Sequence, residues 1–372
     1  MRILIAPNAF KGTLTARRAA AAAAAGVRSA LPRAAVDALA IADGGDGLLD
    51  ALRPALGGRL VRTAVDGPLG EPVKARWLLA GRTAVIEMAE ASGLKYMNGR
   101  GLRPMDATTR GVGQLMAEAV RLGATEIVVG LGGSASNDGG AGCAEGFGFR
   151  LLGRDGRPVR PGAGGLVSLA AVLPGTGAAR LRGVKVYGLA DVKNRLFGPL
   201  GSARVFGPQK GAGPREVRLI DEGLRNYAAV LKAWPGRDVA RLEGGAAAGG
   251  LGAGLAAFFG AELLDGSAYV LERAGFGRLL RRAGLLITGE GRFDRQTFYG
   301  KAPGAAIAAA RALGVPAVVV CGSSLIKDRR TLSRLGVAGV IEAGMEPSPA
   351  AALRRAVAAG LPAILAGLGR RA

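Results

Sequence analysis

Residues 2–46 read RILIAPNAFKGTLTARRAAAAAAAGVRSALPRAAVDALAIADGGD, and their pattern decides the fold class. The apolar run 2–6 lacks polar alternation, as a strand buried on both faces of a parallel sheet does. A polar turn over 8–15 leads into 16–29, dominated by Ala, the strongest helix former. Leu31 and Pro32 stop that helix before a second strand expected over 36–42. A β-α-β unit sets its two strands parallel, with both carboxyl ends on one side of the sheet. Those ends carry Asn8 to Lys11 and Asp43 to Asp46.

The carboxyl-terminal part repeats this rhythm. Residues 285–288 and 317–321 read as strands, separated by a loop to Lys301 and a helix opened by Pro303, and 336–342 and 349–359 add a strand and a last helix. The middle differs. Strands over 60–65, 73–79 and 83–88, divided by DGPLGEP and AGR, read as an antiparallel meander, followed by a helix over 109–122 and a strand over 126–130. The chain is therefore expected to be α/β, with one parallel-sheet domain from residues 1–62 and 283–372 and a second α/β domain, 63–282, inserted.

Composition bounds what this fold does. The 372 residues, 49% apolar and 21% charged, suit about two globular domains. Histidine is absent, which excludes Ser-His-Asp triads, imidazole bases and His-ligated zinc. The formal charge is +22, yet 41 of the 50 basic residues are Arg, dispersed as singles and pairs such as Arg17-Arg18 and Arg281-Arg282. With aromatics at 5% and no long like-charge run, the basicity reads as a chain-wide bias, and no nucleic-acid partner is expected. A basic nucleic-acid-binding protein is the non-enzymatic alternative, and its binding would be salt-steep.

Cys143 and Cys321 make no disulfide framework, and the apolar stretch before Pro7 and Lys11 is too short for an export signal. Residues 244–261 have the length of a membrane span but are mostly Gly and Ala, and read as a Gly-rich loop followed by a buried helix. No membrane partner and a cytoplasmic location are expected.

The strongest local signal is EIVVGLGGSASNDGGAGCAEG, a strand running into Gly132, Gly133, Ser134, Ser136, Asn137, Asp138, Gly139 and Gly140 ahead of a helix. Glycines let consecutive amides turn onto an anion, and hydroxyls add donors, so the loop reads as phosphate-binding, with a tight structural connection as the alternative. No Lys-Ser or Lys-Thr follows at Walker spacing, and the acid that dinucleotide binding requires would be Asp155, in a turn-like GRDGRP. IADGGDG sets Asp43 and Asp46 at a strand end, where paired carboxylates hold Mg²⁺ or take a hydroxyl proton, or form the corners of a turn. ITGEGRFDRQTFYGKAPG places Glu290, Arg292, Asp294 and Lys301 after a buried strand. In YGLADVKNRLFG, Asp191 is a candidate base, metal ligand or cap; RVFGPQKGAG follows, with Lys210 in a Gly-Pro loop. Lys11 is expected beside Asp43, across the two strands.

Taken in order, APNAFKGTLTA, ADGGDG, VDGPLG, IEMAEASGL, GLGGSASNDGGAG, LADVKNRLFGP with VFGPQKGA, GGAAAGGLGAGL and ITGEGRFDRQTFYGKAP resemble the type-1 family of bacterial glycerate kinases. The resemblance implies ATP-dependent phosphorylation of D-glycerate at the 2-hydroxyl with Mg²⁺, on a Rossmann-like domain with an inserted α/β domain. Transfer to the 3-hydroxyl, or to a related sugar acid, is the alternative within enzymes. The chain departs from the pattern at Asn8-Ala9, where Asp-Ser is usual, and at Lys193 in the Asp-rich motif.

Under this resemblance Asp43 is the candidate base, with Asp191 and Lys11 catalytic beside it. Asp46, Glu290, Arg292, Asp294 and Lys301 would bind substrate. Gly132, Gly133, Ser134, Ser136, Asn137, Gly139 and Gly140 would hold the nucleotide phosphates, and Asp138 and Asp191 the Mg²⁺. The expected partners are D-glycerate and ATP; if the chain self-associates, a homodimer is the expected form.

Overall fold

A computed structural model describes residues 1–99, 101–234, 236–344 and 347–369. The chain forms two compact units, one of Met1–Asp43, Asp50–Gly57 and Gly266–Ala372, the other of Gly44–Leu49 and Gly58–Asp265. Asp43 thus belongs to the first unit and Asp46 to the second.

The first unit is a Rossmann-like sheet of five parallel strands in the order Val337–Glu342, Ala317–Ser324, Leu285–Phe293, Arg2–Pro7, Ala35–Ala38. Its three central strands carry buried apolar runs because both faces of the sheet are covered there. Ile3, Ile5, Ile287, Val318 and Val320 pack on one side with helices Ala16–Ala30 and Pro349–Gly369, while Leu4, Ala6, Leu286 and Val319 pack on the other with helix Ala302–Ala312. Thr15 caps the first helix, its Oγ accepting from the amide of Arg18 at 3.3 Å. The helix Pro349–Gly369 is apolar and long enough to cross a membrane; here it turns Leu353, Val357 and Leu361 onto the alanine face of Ala16–Ala30.

Two boundaries differ from the sequence expectation. The second strand spans Ala35–Ala38, and beyond it the amides of Leu39 and Ile41 still donate to the Ile5 and Pro7 carbonyls, at 2.8 and 3.2 Å. The strand expected over 285–288 runs on to Phe293, because its glycine-interrupted end stays in register with Ala317–Ser324, Phe293 opposite Ser324. Glu290 and Arg292 therefore sit on a strand, where a loop is expected.

The second unit holds a six-stranded sheet in the order Glu262–Asp265, Lys185–Ala190, Glu126–Gly130, Thr83–Glu87, Pro72–Ala80, Arg59–Asp66. The first four strands run parallel, and the last three form the meander expected from the sequence. Trp77, Phe147 and Tyr227 are fully enclosed in its core. The Gly- and Ala-rich stretch becomes a turn, Ala247–Gly250, and a wholly buried helix, Leu251–Phe259.

Candidate functional site

In the first unit the chain leaves strands Arg2–Pro7 and Leu285–Phe293 toward opposite sides of the sheet. The crevice beyond their carboxyl ends is the topological switch point, where open α/β sheets bind ligands. Pro7 pairs with Gly289, so Asn8 and Glu290 emerge next to each other. Asn8 is buried; its Oδ1 accepts from the amide of Ala9 at 2.7 Å and its Nδ2 donates to Asp43 Oδ2 at 3.3 Å. An Asp at position 8 would set two carboxylates against each other, whereas the amide supplies a donor. Lys11, expected beside Asp43, is instead exposed on the turn closed by Phe10 and Leu14, and Asn8 makes the contact.

Glu290, 7% exposed, accepts from Thr297 Oγ at 2.7 Å and from Lys301 Nζ at 2.9 Å. Lys301 is thereby fixed at the start of helix Ala302–Ala312 with two further ammonium protons to offer. Arg292 is exposed and pairs with Asp294, whose Oδ1 caps the amide of Gln296 at 2.8 Å. Asp294 thus has the local capping role of an N-cap acid.

In the second unit, strand Glu126–Gly130 lies between two parallel neighbours, and its carboxyl end opens into the Gly-rich loop. Among the described residues, the amides of Gly132, Gly133, Ser134, Ser136 and Asn137 have no acceptor. Ser136 and Asn137 are fully buried, and Ser136 Oγ, Asn137 Oδ1 and the nearby Ser92 Oγ have no partner either. Orphaned buried polar atoms in such density call for a ligand, an ion or water. The loop is shaped by a second Gly-rich turn: the amide of Gly139 donates to the Gly249 carbonyl at 3.0 Å, and a Cβ on Gly249 would stand 2.0 Å from the Ser136 carbonyl oxygen. Beside it, Ala248 takes a left-handed φ of 53°, a strained conformation for a residue other than glycine.

Asp138 does not fit the metal role expected of it. It is 0% exposed, and its carboxylate accepts from Thr108 Oγ, the amide and Oγ of Thr109, and the amides of Gly140 and Gly142. Burial raises its pKa, which these bonds oppose. The amides at this helix start are already taken, those of Gly140, Ala141 and Gly142 by Asp138 and that of Cys143 by Thr109 Oγ, which ties the loop to helix Ala141–Phe147 and to Thr109. Of the two glycines expected to touch phosphate, Gly140 donates its amide to Asp138 and Gly139 donates its amide to the Gly249 carbonyl.

Asp46 reaches the loop. Gly133, at φ +72°, leaves the space into which Asp46 Oδ1 fits, 2.9 Å from where a Cβ would stand. Asp191 is exposed just after strand Lys185–Ala190. Two residues given no role from sequence join this set. Glu87 ends its strand opposite Gly130 and accepts from the amide of Leu49 at 2.8 Å, pinning the chain next to Asp46. Burial pushes its carboxyl up to about 7, and the Glu90 and Asp46 charges add to that. Lys210 lies 3% exposed beneath the loop, donating to the Ser136 carbonyl at 2.6 Å. A Glu at a strand's carboxyl end and a lone Lys in a Gly-Pro loop were the available signals.

The family model described as "Glycerate kinase family" matches residues 3–369. The chain is 43% identical over 323 residues to a glycerate kinase of Halalkalibacterium halodurans, covering 86% of this chain and 85% of that one. It is 39% identical over 325 residues to a protein of Escherichia coli named glycerate 2-kinase, covering 87% and 85%. The crystal structure of a Salmonella typhimurium LT2 chain proposed to be glycerate kinase 2 superposes with a TM-score of 0.85 at 36% identity, covering 99% of each. On these grounds the chain belongs to the glycerate kinase family.

Proposed function

We propose that the protein phosphorylates D-glycerate at its 2-hydroxyl with ATP, giving 2-phosphoglycerate. The observation that carries this reading is the set of acceptor-free amides at 132–134, 136 and 137 together with the buried, unpartnered Ser136 hydroxyl, all donors that suit the anionic oxygens of a nucleotide phosphate. Loose phosphoryl transfer asks for positioning, charge neutralisation and an acceptor for the hydroxyl proton. In this reading the loop holds the phosphates and Asp43, oriented by Asn8, takes the proton. Lys301 and Arg292 offset the glycerate carboxylate, Glu290 fixes Lys301, and exposed Lys11 meets the transferring phosphate.

Among the described residues no three His, Cys, Asp or Glu side chains gather to hold a resident metal. In this reading Mg²⁺ enters with the nucleotide, and exposed Asp191 would supply one of the one or two carboxylates such an ion takes from a protein. Bound there, Mg²⁺ would offset phosphate charge. Transfer to the 2-hydroxyl is favoured by the name of the Escherichia coli relative.

The test is ADP release with D-glycerate, L-glycerate and hydroxypyruvate in turn, followed by phosphorus NMR of the product. D-glycerate is expected to be the substrate and 2-phosphoglycerate the product. Absence of glycerate-dependent ADP sinks the reading, and 3-phosphoglycerate overturns its regiochemistry.

A further inference from the structure

Lys210 is an expensive residue to keep where it is. Its side chain is 3% exposed, and the one hydrogen bond it makes among the described residues goes to a neutral acceptor, the Ser136 carbonyl, at 2.6 Å. Asp138 is the carboxylate whose charge it feels, yet every bond to that carboxylate comes from Thr108, Thr109, Gly140 and Gly142, so no ion pair forms. A buried ammonium without a counter-ion is destabilising, as a broken buried ion pair is. Desolvation accordingly draws its pKa down to about 7. The carbonyl it holds belongs to the same residue whose Oγ is buried and unpartnered, one position before the unpartnered Asn137 Oδ1.

We propose that Lys210 is the counter-cation of the phosphate bound by the 132–137 loop, supplying from beneath the loop the positive charge that a Walker lysine supplies elsewhere. This rests on the nucleotide reading above. Lys210 both draws the Ser136 peptide into place and presents its remaining ammonium protons to an anionic oxygen. A phosphate bound at the loop would supply the counter-charge to the buried ammonium. The group recognised is the polyphosphate, and the adenosine is indifferent to this residue.

The full chain and its Lys210→Met and Lys210→Gln variants are compared by thermal shift and titration calorimetry with Mg-ATP, tripolyphosphate and adenosine. Wild type is expected to be stabilised by ATP and by tripolyphosphate. Both variants are expected to melt no lower than wild type without ligand and to bind either polyphosphate at least tenfold more weakly, with any adenosine effect unchanged. Lys210→Arg, which keeps the charge, should recover part of the affinity. Variants that bind tripolyphosphate like wild type overturn the proposal. So do neutral variants that melt well below wild type or fail to fold, since the lysine is then structural. A wild type that binds tripolyphosphate but releases no ADP with D-glycerate overturns the proposed function and leaves the Lys210 assignment standing; a wild type that binds neither polyphosphate overturns both.

Discussion

Asp43 and Asp138 are both acids at the carboxyl ends of strands, and their surroundings divide them. Asp43 is half-buried and receives one long hydrogen bond, 3.3 Å, from Asn8, so it has lone pairs to spare for a hydroxyl proton. As the base, it should lose about 100- to 10,000-fold in kcat on Asp43→Asn, with little change in the KM for ATP. Steady-state kinetics checks this, and a near-normal kcat removes the assignment. Asp138 is engaged by two hydroxyls and three amides, so Asp138→Ala leaves several buried donors orphaned. That change should cost about 3–5 kcal/mol of stability, measured by denaturant unfolding. A loss of Mg²⁺ affinity at normal stability would instead restore its metal role. Aspartate in a glycine loop was legible in the sequence; whether the loop turns it inward was not, because that depends on Thr108 and Thr109, some thirty positions earlier.

The elements that matter are two Gly-rich turns that lean on each other. The first, 132–140, stands out in the sequence by its glycines and hydroxyls, the pattern that suggests an anion loop. The second, Ala247–Gly250, read as a mere preface to a buried helix. Its function is steric: the Ser136 carbonyl occupies the place of a Cβ at Gly249, whose φ of +70° also disfavours side chains. Gly249→Val should therefore displace Ser136 and weaken ATP binding by at least tenfold, with secondary structure by circular dichroism retained. Unchanged ATP affinity in this variant would separate the second turn from the site. No local pattern pairs residue 249 with residue 136, which explains why this support was invisible before the chain was folded.

Across the whole molecule, buried charge sets a characteristic pH response. Glu90 meets an opposing cost of burial, but Arg76 and Lys95 hold its pKa at about 2, so its stabilisation is present above 4.5 and lost as pH falls toward 2. Glu87 and Glu145, pushed up to about 7 by burial, bind more protons folded than unfolded between 4.5 and 7, so stability falls as pH rises through that window. Lys210, drawn down from 10.5 to about 7, is better protonated when unfolded, so stability rises again from 7 toward 10.5. Ligand-free protein should thus show a dip in stability near pH 7 in denaturant titrations. Glu87→Gln should raise stability at pH 8 by about 2–3 kcal/mol and flatten the acid side of the dip. A featureless profile would mean that these groups are solvated.

The order and type of most elements, the parallel sheet from both ends of the chain, the meander and the family were written in the sequence, since strand burial, helix propensity and turn chemistry are local properties. Which carboxylate keeps free lone pairs and which is spent on the framework was decided by tertiary structure. The charge state and direction of a side chain depend on what distant segments bring against it: Asn8 on Asp43, Thr109 on Asp138, Leu49 on Glu87, Ser136 on Lys210. Those partners are separated along the chain and meet through packing, which no local pattern encodes.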